Sequence, residues 1–421
     1  MLRSLFVDFN SYFASVEQQI KPHLRGKPVG VLPVMAHGTS CIAASVEAKA
    51  FGVKTGTSVE DAKRLCPEIV FVEAKHEIYV EFHHRAIAAV ERMAPVRQVL
   101  SIDEMECELT GSWRERSKAE AIARNIKKEV LSSVGICLRC SVGIAPNTML
   151  AKLASDMQKP DGLVVIEQSE LPGRLHPLKL QDVQGIGKRM LQRLQAAGIF
   201  SMAELCAAPR DVLHTVWGGM AGSEMHDMLR GQWYGPRTTT ARSLGHSHVL
   251  PPELRNPDGA LGVLMRLTQK AAMRLRKQGF YATAMSISVR CDQRYPSTFE
   301  APQGGGRDAQ FGQMQDTGYF LEVLQKLWAS GLHELRRPKA VNVTMHGLVL
   351  VGQHTPDLFD FPPAAVDGPA ARDRTKLDAA MDKLNKTYGK NTLYFAASHT
   401  ARDTAPMRIA FNRIPDLETE V

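Results

Sequence analysis

The sequence predicts an α+β protein built from several domains. Its 421 residues exceed the roughly 100–200 residues of a single domain, so two to four domains are expected. Apolar residues follow strand and helix periods in turn up to about residue 166, and helical periods dominate residues 171–230. Strand and helix periods mix again over residues 241–352, after a linker at 233–240. This order predicts an α+β domain, a helical domain and a smaller α+β domain.

In the first region, apolar spacing and helix caps define the elements. Ser58 should cap one helix, and Pro67 should stop it. His83 and His84 lie on a later helix, and we interpret them as ordinary helix residues rather than ligands because adjacent positions face apart. The predicted strands are 2–10, 29–32, 40–44, 96–109 and 140–145, and the predicted helices begin at Ser11 and then span 45–52, 58–65, 78–93, 117–134 and 147–157.

The C-terminal half alternates in the same way. Its predicted strands are 284–291 and 341–351, and its predicted helices are 260–277 and 317–331. Gly304-Gly305-Gly306 predicts a mobile loop. From Gln353 the composition becomes loop-like and rich in proline, and a last helix is predicted near 376–388.

The positive charge of the chain is unevenly distributed. Its 52 lysines and arginines against 44 aspartates and glutamates give a net charge of +8 and an isoelectric point near 9.1. Residues 237–352 contain 15 basic and 8 acidic residues, which accounts for most of the surplus. A basic C-terminal half suits a polyanionic partner such as nucleic acid.

Seven scattered cysteines, an odd number, predict reduced thiols and a cytoplasmic protein. Cys137 and Cys140 form one C-x-x-C pair without a second pair nearby, so a zinc site is not expected. The N-terminus has no signal-peptide pattern, and no apolar run is long enough to span a membrane.

Two adjacent carboxylates, Asp103 and Glu104, interrupt the strand-like run at 96–109. Buried acids are costly unless a cation lies against them, and Mg²⁺ prefers carboxylate oxygens. A third acid, Asp8, ends the first predicted strand, and neighbouring strands would give a three-carboxylate site. Such a site suits two divalent ions roughly 3.5–4 Å apart in a phosphoryl transfer. Taken alone, an Asp-Glu pair is more often a solvated turn.

Several sequence blocks occur in an order that resembles the Y-family translesion DNA polymerases. They cover residues 1–165, and two further blocks, 185–187 and 242–246, extend the likeness to about residue 350. Each block alone is a weak signal, whereas the ordered set is specific. The blocks are Val7-Asp8-Phe9-Asn10 with Tyr12-Phe13-Ala14, Glu47 to Lys54, Ser101-Ile102-Asp103-Glu104, Ser141 to Asn147 with Ala151 to Ser155, Lys159-Pro160, Gly185-Ile186-Gly187 and Arg242-Ser243-Leu244-Gly245-His246.

The resemblance implies an α+β multidomain fold, the right-hand polymerase with four domains. These would be a palm, fingers, a helical thumb with a helix-hairpin-helix, and an α+β little finger. The expected bounds are 1–10 and 76–165 for the palm, 11–75 for the fingers, 166–232 for the thumb, 233–240 for the linker, 241–352 for the little finger and 353–421 for a C-terminal tail.

The resemblance also implies a DNA-directed DNA polymerase that uses two Mg²⁺ ions. Asp8, Asp103 and Glu104 would be its catalytic acids, and with the carbonyl of Phe9 they would hold the metal. One ion would lower the pKa of the primer 3′-hydroxyl, and the other would neutralise the triphosphate. Glu106 and Glu108 have no role in the family, and we interpret them as solvated strand residues.

For the incoming nucleotide, the resemblance places Phe13, beside Tyr12, as a steric gate against a 2′-hydroxyl. The alternative is an ordinary core aromatic. Lys159 would contact the triphosphate, and Lys152 in the same block would serve the triphosphate, the fold or the DNA. Lys49 would also meet phosphate oxygens.

The fingers depart from the commonest family pattern, because Val46 and Lys49 stand where many members have Tyr and Arg. Glu-Ala-Lys at 47–49 is more similar to the catalytic subunit of bacterial polymerase V. This likeness implies weak nucleotide affinity and dependence on accessory mutagenesis proteins.

For primer–template DNA, Gly185 and Gly187 with Lys188 resemble a helix-hairpin-helix turn whose amides approach a phosphate. In the little finger, the family lays its sheet into the major groove, which favours Arg242 and Arg290 as contacts. The alternative DNA contacts are basic residues at four-residue spacing on one face of the predicted helix 260–277. Such a face can equally be solvated without binding DNA. The residues are Arg266, Lys270 and Arg274.

Leu358 and Phe359 resemble a sliding-clamp-binding peptide, although Gln353 lies one residue further away than the motif requires. A plain hydrophobic docking segment fits these residues equally well.

The leading hypothesis is therefore a template-directed polymerase that adds dNTPs past damaged bases. One alternative is a catalytically silent DNA-binding scaffold of the same fold, and retention of all three acids argues against it. Another is a metal-dependent nucleotide cyclase, and the basic C-terminal half argues against that.

Overall fold

The computed structural model describes residues 1–36, 38–235, 241–291, 304–353, 374–389, 392–401 and 409. The chain forms two compact units that divide between Arg237 and Thr238. The strands of the first unit are β1 (Ser4–Phe9), β2 (Val29–Leu32), β3 (Ala43–Ala44), β4 (Val70–Glu73), β5 (Val96–Val99), β6 (Glu104–Glu108), β7 (Cys140–Ala145) and β8 (Leu163–Val165). Its α-helices are α1 (Tyr12–Ile20), α2 (Val46–Ala50), α3 (Val59–Leu65), α4 (His76–Glu91), α5 (Arg116–Ser133), α6 (Thr148–Met157), α7 (Lys188–Ala196), α8 (Met202–Ala207), α9 (Arg210–Trp217) and α10 (Met220–Met228).

A five-stranded sheet in the order β5-β6-β1-β7-β8 forms the centre of the first unit. β1 lies in the middle, antiparallel to both β6 and β7, and all of its residues are buried. α6 packs so closely against this sheet that a Cβ atom on Gly143 would lie 1.9 Å from the carbonyl oxygen of Ala151. Glycine at position 143 therefore permits α6, which carries Lys152, to lie directly on the strands.

A second sheet of the first unit, in the order β3-β2-β4, has its own small core with α2 and α3. The Oγ atom of Ser58 accepts a hydrogen bond from the backbone N–H of Asp61 at 3.0 Å, which confirms Ser58 as the cap of α3. Such a cap stabilises a helix by about 1 kcal/mol. Helices α7 to α10 share an apolar core with one face of α6.

The second unit is an α+β layer structure. Its elements are β9 (Ser243–Val249), α11 (Pro257–Lys277), β10 (Phe280–Cys291), β11 (Gly304–Met314), α12 (Thr317–Ala329), β12 (Pro338–His346), β13 (Val349–Leu350) and α13 (Thr375–Tyr388). The main sheet has the order β11-β10-β12-β9, and its core is shared with α11 and α12. Met285, Ile287 and Val289 of β10 are buried in that core, whereas Ser288 and Arg290 are exposed. The sheet thus has one covered face and one open face.

The prediction of a mobile loop at Gly304-Gly305-Gly306 is wrong. These residues begin β11 and pair with Arg290, Val289 and Ser288 of β10. A Cβ atom on Gly304 would lie 2.4 Å from the carbonyl oxygen of Val289, and one on Gly305 would lie 2.9 Å from Cδ2 of Leu332. The glycines therefore make room for close packing instead of providing a flexible connection.

The C-terminal helix α13 is docked onto the second unit by one arginine of α11. The guanidinium of Arg276 donates to both carboxylate oxygens of Asp382, at 2.8 and 2.9 Å, and to Asp378 at 3.2 Å. The buried Asp378 also accepts the backbone N–H of Thr317 at 2.9 Å, at the start of α12. This bidentate network ties α13 to two helices of the unit.

Of the alternatives for the α11 basic stripe, a solvated face does not hold for Arg266. Arg266 is only 5% exposed, and burial lowers the pKa of Arg274. Arg266 therefore belongs to the packed side of α11, whereas Arg274 is partly buried.

All seven cysteines are unpaired. Within the described ranges, no helix combines the length and the apolar character needed to cross a membrane.

Candidate active site

The structure brings the three predicted acids together at one end of the central sheet. Asp8 on β1 and Glu104 on β6 are direct antiparallel partners. The backbone N–H of Phe9 donates to the carbonyl oxygen of Asp103 at 2.9 Å. β1, β6 and the turn before β6 therefore carry the three carboxylates on neighbouring backbone positions, which the sequence spacing alone did not reveal.

The turn between β5 and β6 fixes Asp103. The backbone N–H groups of Leu100 and Ser101 donate to the carbonyl oxygen of Glu104 at 2.9 and 3.2 Å. The Ser101 hydroxyl donates to Oδ1 of Asp103 at 2.6 Å. Burial raises the pKa of Asp103 to about 6, and the negative charges of Asp8 and Glu104 add to this rise. This group of carboxylates therefore favours a neighbouring cation.

Two lysines of the α6 region lie against the acids. The ammonium of Lys152 contacts Asp8, lies 2.7 Å from Oε1 of Glu104 and is 3.3 Å from Asp156. Burial alone would lower the pKa of Lys152, but Asp8 and Asp156 raise it overall. Nζ of Lys159 lies 2.8 Å from Asp8 and 2.8 Å from Asp156. Sequence reasoning missed Asp156, which lies one helical turn after Lys152 and carries no motif signal of its own.

Lys49 is exposed on α2, yet the charges of the same site influence its pKa. Partial burial and the positive charge of Lys159 lower the pKa of Lys49, while Asp8 and Asp103 act in the opposite direction. Lys49 is therefore close enough to Lys159 and to the acids for their charges to influence its pKa. Val46, on the same short helix, is 38% exposed.

Phe13 lies in an aromatic cluster at the start of α1. Its ring stacks on that of Tyr79, with centroids 4.5 Å apart and planes inclined by 15°. Tyr12 is buried, and its hydroxyl donates to the carbonyl oxygen of Tyr79 at 2.7 Å. The Tyr79 hydroxyl donates to the buried Glu17 at 2.8 Å. Phe13 is only half-buried, so the cluster holds one ring at the edge of the core.

The donor chemistry of the site fits a hard divalent cation. Carboxylate oxygens are the ligands Mg²⁺ prefers, and burial together with neighbouring negative charge raises the pKa of Asp103. Among the residues with assigned positions, no group of three or more His, Cys, Asp or Glu side chains is arranged so that it could hold a metal ion. The ammonium of Lys152 instead lies against Asp8 and Glu104.

The interpretation of Glu106 as a solvated residue is wrong. It is fully buried, and it forms an ion pair with Arg97. Its Oε1 atom also accepts hydrogen bonds from Ser4 at 2.6 Å and from Thr148 at 2.7 Å. Glu108 is half-buried near Arg3, 3.7 Å away. Glu106 thus links β6, β1 and α6 through its contacts with Ser4 and Thr148.

His83 lies directly under the turn that carries the acids. Its Nδ1 atom is 2.7 Å from the carbonyl oxygen of Ile102, and the side chain is 1% exposed. Burial lowers the pKa of His83 to about 4, so the imidazole is neutral and donates from Nδ1. His83 is therefore a buried support of this turn.

We expect the stability of the first unit to fall as the pH drops from about 6.5 towards 4. Over this range the unfolded chain binds a proton at His83 that the folded chain does not, which costs up to about 1.4 kcal/mol per pH unit. His83→Asn keeps an N–H donor but cannot titrate, so it should flatten this dependence. Urea unfolding at pH 7, 6 and 5 measures it. The exposed neighbour His84→Asn is the control, and an unchanged slope in His83→Asn would contradict the assignment.

The candidate DNA contacts lie in both units. In the first unit, Gly185 has φ 95°, Gly187 precedes α7, and Lys188 is the exposed first residue of that helix. In the second unit, Arg242 directly precedes β9, and Arg290 lies on the open face of β10.

Cross-strand pairing places these two arginines at opposite ends of the sheet. Arg290 aligns through Ala340 with Val249, and Ser243, next to Arg242, aligns with His346. Six strand positions, about 20 Å, separate the two ends. Small side chains line the face between them, including Ser286, Ser288, Asn342 and Thr344.

Solved structures share this architecture. A chimeric Y-family DNA polymerase matches with a TM-score of 0.68 and 24% identity, over 83% of this chain and 99% of that one. The insertion ternary complex of the Dbh DNA polymerase matches with a TM-score of 0.55 and 24% identity over the same shares. The fold is therefore that of a Y-family DNA polymerase.

Sequence comparisons extend the likeness from fold to family. Residues 7–156 match the impB/mucB/samB family, and residues 241–358 match the C-terminal domain of that family. The DNA polymerase IV of Moorella thermoacetica is 33% identical over 413 residues, covering 94% of this chain and 96% of that protein. The DNA polymerase IV of Pelotomaculum thermopropionicum is 31% identical and covers 94% of this chain and 95% of that protein. The chain belongs to the impB/mucB/samB family of Y-family polymerases and is a DNA-directed DNA polymerase of the translesion type.

Proposed function

We propose that Asp8, Asp103 and Glu104 are the catalytic acids with which this polymerase adds dNTPs to a primer 3′ end. The observation that carries this proposal is the convergence of the three carboxylates at the end of β1 and β6, with Lys152 and Lys159 against them. A polymerase of this family needs a divalent metal. We propose that the metal is Mg²⁺, that two ions bind, and that the carbonyl of Phe9 adds a ligand.

The side chains of the site divide the work of nucleotidyl transfer. When bound, the metal ions would favour the deprotonated primer 3′-hydroxyl and neutralise the triphosphate. Lys159 and Lys49 hold the triphosphate oxygens as point charges and orient the nucleotide over the acids. Tyr12 fixes the cluster beneath Phe13, and the half-buried ring of Phe13 faces the sugar and excludes a 2′-hydroxyl.

The partners of this chemistry are primer–template DNA and dNTP. We propose that the amides of Gly185 and Gly187, with Lys188, bind a DNA phosphate, and that the open face of the second-unit sheet lies on the duplex. We assign the domains accordingly as palm 1–10 and 76–165, fingers 11–75, thumb 166–232, linker 233–240 and little finger 241–352, followed by a tail at 353–421. The division between Arg237 and Thr238 falls inside the proposed linker.

Removing Arg242 and Arg290 together should weaken binding of primer–template DNA and reduce its dependence on salt. Each phosphate contact contributes about 0.9 to the slope of log affinity against log salt, so the slope should fall by up to about 2. Fluorescence anisotropy at several salt concentrations measures this. Arg307→Gln is the matched control, because Arg307 pairs with Ile287 and its guanidinium donates to the Ser330 carbonyl. An unchanged slope in the double variant would remove these contacts from the interface.

A primed-template extension assay with Mg²⁺ and each dNTP tests the proposed function. We expect addition of the nucleotide complementary to the template, and continued extension on templates that carry a damaged base. DNA binding without any extension would instead favour the silent scaffold.

We further propose that this polymerase acts in the cytoplasm with accessory mutagenesis proteins. They would compensate for a low affinity for nucleotide, which we attribute to Val46 and Lys49 in the fingers. Stimulation of extension by such a protein tests this.

The proposed sliding-clamp peptide, Leu358 and Phe359, lies outside the described residues. Loss of clamp stimulation when both become alanine would support it, and no change would remove it.

A further inference from the structure

The loop that carries Lys159 is fastened to the end of β1 by a buried asparagine. Asn10 is 5% exposed, and its Oδ1 atom accepts the backbone N–H of Asp161 at 2.8 Å. Its Nδ2 atom donates to Oγ of Ser141 at 3.0 Å, and that hydroxyl in turn accepts the N–H of Gly162 at 3.3 Å. The backbone N–H groups of Asp161 and Gly162 therefore both donate hydrogen bonds to the Asn10–Ser141 pair.

The opposite side of the same loop is held by cations. Nζ of Lys127 contacts the carbonyl oxygen of Asp161, lies 2.9 Å from its Oδ1 atom and is 3.3 Å from the carbonyl oxygen of Gly162. Arg139 lies 3.3 Å from Oδ2 of Asp161. Asp161 has φ 58°, a left-handed backbone conformation that residues other than glycine rarely adopt. Its backbone is thus held in this conformation from both sides.

The hydrogen bonds of Asn10 and Ser141 connect the segment that carries Asp8 with the loop that carries Lys159. Asn10 follows Asp8 by two residues on the same chain segment, and Ser141 is the cross-strand partner of Asp8. Lys159 precedes Asp161 by two residues, and its ammonium lies 2.8 Å from Asp8. One hydrogen-bonded pair therefore spans from the strand that bears the acid to the loop that bears the lysine.

We infer that Asn10 is a positioning residue that holds Lys159 at a fixed distance from Asp8, so that one nucleotide meets the lysine through its phosphates and the acids through metal. This inference rests on the proposed role of Lys159 in triphosphate binding. An amide suits the position because it offers an acceptor to Asp161 and a donor to Ser141 at once.

A double-mutant cycle tests the inference on the full chain. Asn10→Ala should raise the KM for dNTP by about tenfold with a smaller change in kcat, because the loop loses its fixed position. Lys159→Ala should also raise this KM. The double variant should resemble Lys159→Ala alone, since Asn10 acts through that lysine.

A control separates positioning from general support of the fold. Ser4→Ala removes another buried hydrogen bond of β1, to Glu106, at the far end of the strand. Any increase that Ser4→Ala causes in the KM for dNTP should multiply with the increase caused by Lys159→Ala. Circular dichroism checks that each variant folds. If Asn10→Ala does not fold, Ser141→Ala, which removes only the shared hydroxyl, takes its place in the double-mutant cycle with Lys159→Ala.

The outcomes distinguish the inference from the function beneath it. If Lys159→Ala raises the KM and the Asn10 or Ser141 variant multiplies that effect, the positioning role is wrong and the nucleotide site stands. If Lys159→Ala leaves the KM unchanged, the triphosphate assignment and the inference both fail.

Discussion

The Asp103→Ala chain should lose primer extension by at least about a thousandfold while keeping its affinity for primer–template DNA. Removing one preorganised electrostatic group from an active site commonly costs about 10²–10³ in rate, and here the lost group also holds metal. DNA binding should persist, because the proposed duplex contacts lie on α7 and the second-unit sheet. Single-nucleotide insertion and anisotropy on the same preparation measure both quantities.

Glu108→Gln is the matched control for this result. Glu108 is an acid on β6, the strand that begins directly after Asp103, but it pairs with Ser4 at the far end of β1. Its removal should leave extension within about twofold of the original chain. Normal extension by a folded Asp103→Ala chain would refute the assignment of the acids.

Phe13→Ala should raise incorporation of ribonucleotides relative to deoxyribonucleotides by at least about tenfold, equivalent to about 1.4 kcal/mol of lost discrimination. The ring is held by its stack on Tyr79, so truncation opens space that the surrounding side chains cannot refill without movement. The ratio of kcat/KM for a ribonucleotide and its deoxy counterpart measures the change.

Phe71→Ala provides the comparison for Phe13→Ala. It removes a partly buried ring of the same size, which packs on the core beside Gly30 in the three-stranded sheet. We expect it to reduce stability without changing sugar selectivity. Unchanged selectivity in a folded Phe13→Ala chain would show that Phe13 is only a core aromatic.

The positions of the acids were predictable because apolar strands with an acid at one end leave strong local signals. The sequence block around Asp8 predicts its strand, and the run at 96–109 predicts β5 and β6. That these strands are neighbours came from the family resemblance, since spacing contains no information about strand order.

Glu106 shows where period-two reasoning fails. Alternation of Glu with Met and Cys predicts one solvated face, but β6 lies inside a sheet that is covered on both sides. Met105, Glu106 and Cys107 are all buried, and the charge of Glu106 is balanced by Arg97. Nothing local in the sequence indicates that partner, because the pairing depends on how β5 and α6 pack.

The docking of α13 was unpredictable for a related reason. A helix near 376–388 follows from periodicity, but its attachment depends on Arg276 and Asp382, which are 106 positions apart. Such long-range ion pairs have no spacing rule. Likewise, glycines in sequence indicate a loop, whereas in β11 they serve close packing against Leu332.

The central claim is that Asp8, Asp103 and Glu104 jointly hold a pair of metal ions. Crystals of the chain with primer–template DNA, an unreactive dNTP analogue and Mn²⁺ would test it by anomalous scattering. We expect two peaks roughly 3.5–4 Å apart, bounded by these three carboxylates. Peaks elsewhere, or a Glu104 or Asp8 carboxylate without contact to either ion, would contradict it.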